Sequence, residues 1–229
     1  MSKKVLAVLL ILTFVMSLAG CNEYHRNDMI NEMLIYVNEK YTDDTFQYVS
    51  MSGGHMGSNV TKIIVASEKY PNNEIRVICT EVNGEKIFTD TYLNFKFEEQ
   101  TREYIKDKLQ EEFGNNIYFK YVPDDLACTE GGSSETTFEE YINEKSSHVY
   151  ISVAVPYEVE NKEAVNNLLQ NMFSDIALSG DIYFFDDEMD IDADITEKIE
   201  TKQYSEKVYI SKAENEEKYQ FEWSSEIRS

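Results

Sequence analysis

The chain has 229 residues, 42% of them hydrophobic and 13% aromatic, with 43 acidic against 21 basic residues and a formal net charge of −22. That apolar, tyrosine- and phenylalanine-rich composition excludes a disordered chain in spite of a mean hydropathy of −0.47, and the length allows one domain with a real core or two small halves sharing one. The acidity argues against nucleic acid as a partner, because phosphates are neutralised by basic residues, and against direct adhesion to an anionic leaflet or wall polymer.

The first element is a leader. Lys3 and Lys4 precede an apolar run from Val5 to Val15, and small residues follow up to Gly20, the three-part plan of a secretory signal over residues 1–20. The apolar run is too short for a transmembrane helix, which needs about 20 residues. Leu18-Ala19-Gly20-Cys21 resembles the lipobox of bacterial lipoprotein signal peptides. The resemblance covers only this leader. It implies that Cys21 receives a diacylglyceryl group, that a type II signal peptidase cuts before it, and that the mature protein begins there. The expected location is then the extracytoplasmic face of the cell membrane, held by lipid, since two buried acyl chains anchor stably where one binds marginally. The alternative is an ordinary secretory leader in which Cys21 happens to follow Gly20. Loss of Lys3 and Lys4 leaves 19 basic against 43 acidic residues, or −24. Cationic partners remain open, a basic protein above all, beside the plain alternative that the charge serves solubility.

After a tether over 21–26, a single α+β domain is expected from 27 to 229. A helix from Asn27, read as its cap, to Lys40 carries Ile30, Met33, Leu34 and Val37 on one face. Strands follow at Thr45–Met51, Asn59–Ser67 and Glu74–Val82, with a glycine-marked turn over 52–58 between the first two. Asn83-Gly84 is a type I′ hairpin signal, which rules out a purely parallel sheet. The return strand is expected over Lys86–Phe97, ending in the alternation Leu93, Phe95, Phe97. A helix over Gln100–Phe113 places Ile105, Leu109 and Phe113 four residues apart, with Gly114 as its C-terminal cap.

A strand at Asn116–Val122 leads through Pro123 into a polar loop or linker, Asp124–Ser134, and then a short helix over Phe138–Lys145. From His148 an alternation of Val149, Ile151, Val153 and Val155 reads as a half-buried strand. The clearest helix carries Val165, Leu168, Leu169, Met172, Phe173 and Ile176. A strand at Asp181–Phe185, an acidic stretch Asp186–Asp194, and terminal strands at Gln203–Ile210 and Glu217–Trp223 complete the order. Strand, helix and strand recur at a 60-residue offset that pairs Leu93 with Val153, Ile105 with Val165 and Phe113 with Phe173. Duplicated halves over 27–124 and 135–229 would explain this, and so would chance resemblance between amphipathic elements.

Motifs with a mechanism are missing: no Gly-x-Ser-x-Gly elbow, no His-Glu-x-x-His pair and no phosphate loop occurs. His25, His55 and His148 lie far apart; His55 between Gly54 and Met56, with Met51 nearby, reads as an exposed turn rather than a soft-metal site. Asp190, Asp192 and Asp194 match the start of a calcium loop, but Ile195 stands where the turn needs Gly and Thr201 where the closing Glu belongs. No catalytic or metal-ligating residue and no cofactor is therefore expected. Cys79 alternates with Ile75 and Val77 and reads as an inward packing residue; a disulfide with Cys128 is permitted in an extracytoplasmic compartment. Tyr118-Phe119 and Tyr183-Phe184-Phe185 read as strand residues facing a core and a partly exposed sheet face.

The expected architecture is largely antiparallel sheet with two or three packed helices. The expected function is a membrane-anchored, non-enzymatic binding or interaction module. Its alternatives are an immunity-type inhibitor of a basic toxin or hydrolase, and a carboxylate-dependent hydrolase, which would need two carboxylates with opposed pKa shifts in a deep pocket.

Overall fold

A computed structural model describes residues 26–53, 59–123, 131–143, 149–186, 195–201, 203–212 and 218–225. The chain divides between Asp90 and Thr91 into two compact units, one built on a four-stranded sheet and the other on a five-stranded one. The architecture is α+β with largely antiparallel pairing, as the sequence requires.

In the first unit, helix α1 spans residues 26–40, and strands β1 (Phe46–Gly53), β2 (Val60–Ser67), β3 (Ile75–Val82) and β4 (Glu85–Asp90) form an antiparallel meander in that order. Met33 and Val37 are fully buried on α1, so the expected face is the one that packs; Asn27 lies inside the helix instead of capping it, because Arg26 is already helical. The two-residue period of strands sends Ile63, Val65, Ile75, Val77 and Cys79 into the core beside α1, each aliphatic side chain contributing about 1.5–3 kcal/mol of burial. Tyr36 stacked on Phe88, ring centres 5.3 Å apart, fixes α1 over that sheet face. At the β3–β4 hairpin Asn83 and Gly84 take φ of 54° and 84°, the paired positive angles of a type I′ turn. A bulge between Tyr48 and Ser50 protects edge strand β1 from pairing further. Cys79 is a buried free thiol.

The expected return strand over 86–97 ends at Asp90. Leu93 and Phe95 lie in a short helix, α2 (Tyr92–Lys96), and Phe97 follows it. The apparent alternation skipped Tyr92 and Asn94, which are as buried as Leu93 and Phe95. Four consecutive buried residues cannot belong to a strand with one solvated face. The internal echo therefore fails at its first strand.

The second unit continues with α3 (Glu98–Phe113), β5 (Tyr118–Pro123), α4 (Phe138–Asn143), β6 (Val149–Pro156), α5 (Lys162–Met172), β7 (Leu178–Phe185), α6 (Ile195–Glu200), β8 (Glu206–Ser211) and β9 (Gln220–Ser225). Its sheet runs β5-β6-β7-β8-β9, antiparallel except for β6 and β7, which α5 joins as a parallel pair. Gly114, at φ 78°, ends α3 as expected by returning its N–H to the Gln110 carbonyl. Asn161 caps α5, its side-chain oxygen accepting from the N–H groups of Glu163 and Ala164. Ile176, grouped in sequence with the α5 stripe, lies beyond the helix end and is buried on the approach to β7. Helix α6 was not expected. The stretch 124–134 joins β5 to α4 inside this one unit.

The two faces of the five-stranded sheet differ. Val149, Ile151, Val153, Leu178, Ile182 and Phe184 are buried on one face. Helices α3 and α5 lie against it, through Arg102 over the Tyr121 ring and Trp223 donating to Asn166. On the other face α6 covers one end, where Ile195 and Tyr204 pack with Ala154, Tyr183 and Phe185. The remaining end is half-open. Gly180 holds β7 against β6: at φ 157°, any Cβ would sit 2.0 Å from the Ile151 carbonyl oxygen.

Candidate functional site

Two aspartates, one in each unit, gather the same set of partners: one lysine and two tyrosines. In the first unit Asp90, at the end of β4, is fully buried. Its Oδ1 accepts from the Tyr41 hydroxyl at 2.9 Å, and its Oδ2 accepts from the Tyr36 hydroxyl at 2.9 Å and from Lys40 Nζ at 2.7 Å. Tyr36 and Lys40 stand one turn apart on α1, so the helix period brings both to one carboxylate. The Lys40 and Asp90 side chains are 9% and 0% exposed. A charge satisfied this completely inside a core fixes packing and offers nothing to a ligand.

In the second unit Asp181 lies in β7 on the face away from α3 and α5, across from Tyr209 on β8 and beside Ser152 on β6. Its Oδ2 accepts from the Tyr150 hydroxyl at 2.7 Å and from the Tyr183 hydroxyl at 3.5 Å; its Oδ1 pairs with Lys207 Nζ at 2.8 Å. Lys207 also lies 5.3 Å from the centre of the Tyr183 ring. This network reaches solvent: Tyr150 is 37% exposed, and the Lys207 and Asp181 side chains are 26% and 15% exposed. Burial and then the bond to Asp181 push the Tyr150 hydroxyl well above its ordinary pKa. For Lys207, burial pulls the other way, but the bond and charge of Asp181 raise its pKa. Neither group is thereby primed as a nucleophile or base, since each is held in its protonated form. What the surface presents is hydroxyls and aromatic faces around a carboxylate of fixed orientation. Those suit hydrogen bonding, stacking and contact with cations.

A shallow depression beside α4 is lined by Thr137, Glu139, Glu140 and Asn143. The Glu140 carboxylate accepts from the N–H and hydroxyl of Thr137, at 2.8 and 2.9 Å, while the Glu140 N–H returns to the Thr137 hydroxyl. This capping box holds the carboxylate below its usual pKa. It starts a helix and leaves Glu140 unsuited to act as an acid.

Cys21, the leader and tether through residue 25, His25, His55, Met56, Cys128, His148 and the run Asp187–Asp194, with Asp190, Asp192 and Asp194, lie outside the described residues. Met51 belongs to β1, and Asp186 directly follows β7. Tyr183, Phe184 and Phe185 are buried and Tyr118 and Phe119 half-buried, as expected of strand residues. Among the described residues no group of three or more His, Cys, Asp or Glu is placed to hold a metal ion, and no helix is long and apolar enough to cross a membrane. Both Asp–Lys–Tyr–Tyr networks escape sequence reasoning because the partners lie 31 to 54 positions from their aspartate, Tyr183 and Lys207 aside. The legible signal is Asp181 itself, a carboxylate directly before the apolar run Ile182–Phe185 of β7.

The charge is divided unevenly. Residues 26–90 hold six basic and ten acidic residues, a net of −4, while residues 91–229 hold 13 basic and 32 acidic, a net of −19.

No protein-family model matches the chain, and no curated protein matches it. Among solved structures it is similar to the crystal structure of a DUF5037 family protein from Ruminococcus gnavus ATCC 29149, determined at 2.55 Å resolution. The two share 11% identity over 82% of this chain and 92% of that chain, with a TM-score of 0.34. A likeness at that level carries neither fold nor function across.

Proposed function

We propose that the chain is a bacterial lipoprotein, anchored through lipid on Cys21 at the extracytoplasmic face of the cell membrane, whose second unit is a non-enzymatic binding module. The observation that carries the anchor is Leu18-Ala19-Gly20-Cys21 placed directly behind an apolar run and two lysines. The surface offered to a partner is the half-open sheet face around Tyr150, Asp181, Lys207 and Tyr209. The concentration of negative charge in residues 91–229 favours a basic protein as that partner, because complementary charge speeds and orients encounter. An immunity-type inhibitor of a basic toxin or hydrolase is a special case of this reading. Capture of extracellular proteins on the segment Asn22–Ser229 tests it: a basic protein retained at low salt and lost at high salt is expected. Retention that salt does not change would remove the electrostatic part.

A further inference from the structure

Lys40 ends α1, and Asp90 is the last residue of β4 and of the first unit, so the whole β1–β4 meander lies between them in sequence. Lys40 Nζ donates to Asp90 Oδ2 at 2.7 Å and to the Tyr36 hydroxyl at 2.8 Å, and that hydroxyl donates in turn to the same Oδ2 at 2.9 Å. Amine, hydroxyl and carboxylate therefore form a closed ring of hydrogen bonds. The Tyr41 hydroxyl donates to the other carboxylate oxygen, Oδ1, at 2.9 Å. The centres of the Tyr36 and Tyr41 rings lie 5.2 and 5.3 Å from Nζ, and Phe88 backs Tyr36, so aromatic walls enclose the pair. Its side chains are 9% and 0% exposed. Cγ is bonded to Oδ2 at about 1.2 Å, which puts it within about 4 Å of Nζ, a small carboxyl rotation from the roughly 3–3.5 Å of a near-attack geometry. Two opposite charges are costly to hold in so dry a place, and moving one proton from ammonium to carboxylate leaves an amine facing a carboxylic acid.

We propose that Lys40 and Asp90 condense into an isopeptide bond, an amide between Nζ and Cγ, with release of one water. After the first proton transfer the nitrogen lone pair attacks Cγ, and the charge that gathers on Oδ1 meets the Tyr41 hydroxyl, a donor already in place. The nitrogen then gives a second proton to the Tyr36 hydroxyl while that hydroxyl passes its own to Oδ2. The Cγ–Oδ2 bond breaks, and Oδ2 leaves as water carrying both protons. Ammonium and carboxylate become amide and water, with no change in net charge or oxidation state. Fixed geometry drives the step: neighbours held in this way react at an effective molarity of about 10⁵ M or more, and burial keeps out the water that would reverse it. The Asp181–Lys207 pair of the second unit is nearly as close, at 2.8 Å, but its side chains are 15% and 26% exposed, and water there stabilises the ions.

The bond places the whole four-stranded sheet inside a covalent loop. The second unit begins at Thr91. A pull between that unit and the lipid proposed on Cys21 therefore passes from α1 through the bond and bypasses the four strands. Formation of the bond does not depend on the lipid; this use of it does.

The test is peptide mass spectrometry on the full chain expressed in a bacterial host, unfolded in denaturant and digested. Lys40 and Asp90 should appear in one branched peptide, lighter by one water than the sum of its two parts, because an ion pair separates in denaturant and an amide does not. The Lys207 and Asp181 peptides, from the exposed pair, should stay separate. Lys40→Arg should give only linear peptides. Tyr36→Phe keeps the ring on Phe88 and removes the relay, so the branched peptide should accumulate about a hundredfold more slowly in newly synthesised protein. Separate Lys40 and Asp90 peptides of full mass from the folded native chain overturn the proposal, as does a water loss that maps to any other residue. Formation at the native rate in Tyr36→Phe overturns the relay. The amino-terminal peptide of the same digest reports lipid on Cys21, so failure of the bond and failure of the anchor are read separately.

Discussion

The Asp90 network in the first unit and the Asp181 network in the second are built from the same parts, yet their settings give them different capacities. Around Asp90 every oxygen is spoken for inside the core, and the pair is 9% and 0% exposed. Around Asp181 the same donors surround a carboxylate that water still reaches, and Tyr150 extends into solvent. Residue chemistry alone thus does not make a site. Position in the layers does, because α1 closes over the first constellation whereas α6 covers only the far end of the second sheet face.

The sharpest way to break this distinction is Lys40→Met, which strands the buried Asp90 charge with two hydroxyls. It should cost about 3–5 kcal/mol in denaturant unfolding, and a cost below about 1 kcal/mol would mean that the core tolerates the carboxylate without its lysine. Gly180→Ala, which drives a methyl into the Ile151 carbonyl, should cost about 3 kcal/mol and loosen the parallel β6–β7 pair that carries Asp181. A native-like melting temperature would show that β7 does not need the close approach.

Alkaline pH separates the units next. Tyr104, Tyr121, Tyr150, Tyr183 and Tyr219 in the second unit, against Tyr70 in the first, have raised pKa values, with burial the first cause in each. An unfolded tyrosine ionises near about 10, so below that pH the folded and unfolded chains hold these protons equally and stability is full. Above it the unfolded chain sheds them first, and stability falls as pH climbs towards the folded values. Trp223 is the single tryptophan and lies in the second unit. Its fluorescence should change at lower pH than the far-ultraviolet circular dichroism of the whole chain. Coincident curves would contradict the distinction. The smallest effect belongs to Lys207→Met, about 1 kcal/mol or less, because water can solvate what remains of the half-open network. A loss comparable to that of Lys40→Met would show that the Asp181 network is as structural as its buried counterpart.

How much of this was legible beforehand depends on the range of the interaction. The Asn83-Gly84 hairpin, the Gly114 cap and the apolar stripes of α1, α3 and α5 are local, fixed by neighbouring backbone angles and a helical or strand period, and all were readable. The Thr137–Glu140 capping box at the start of α4 is an equally local signal. The alternation of Leu93, Phe95 and Phe97 is misleading because Tyr92 and Asn94 between them are buried too, and tertiary packing sets that burial. Helix α6 is a single short amphipathic turn or two beside an acidic run, with too few residues for a period to register. The Asp90 and Asp181 networks depend on strand register and on one helix settling over one face. That information resides in pairing between distant segments and not in any window of sequence.

The proposed function requires that the chain be held at a membrane through lipid on Cys21. The direct measurement is intact-mass and N-terminal peptide analysis of the full chain expressed in a bacterial host with lipoprotein processing, beside Cys21→Ala. The account predicts a mature protein that begins at Cys21 and carries a diacylglyceryl group, and a variant that keeps its leader or is released without lipid. An unmodified Cys21 in the processed native chain, or lipid that persists in Cys21→Ala, would contradict it.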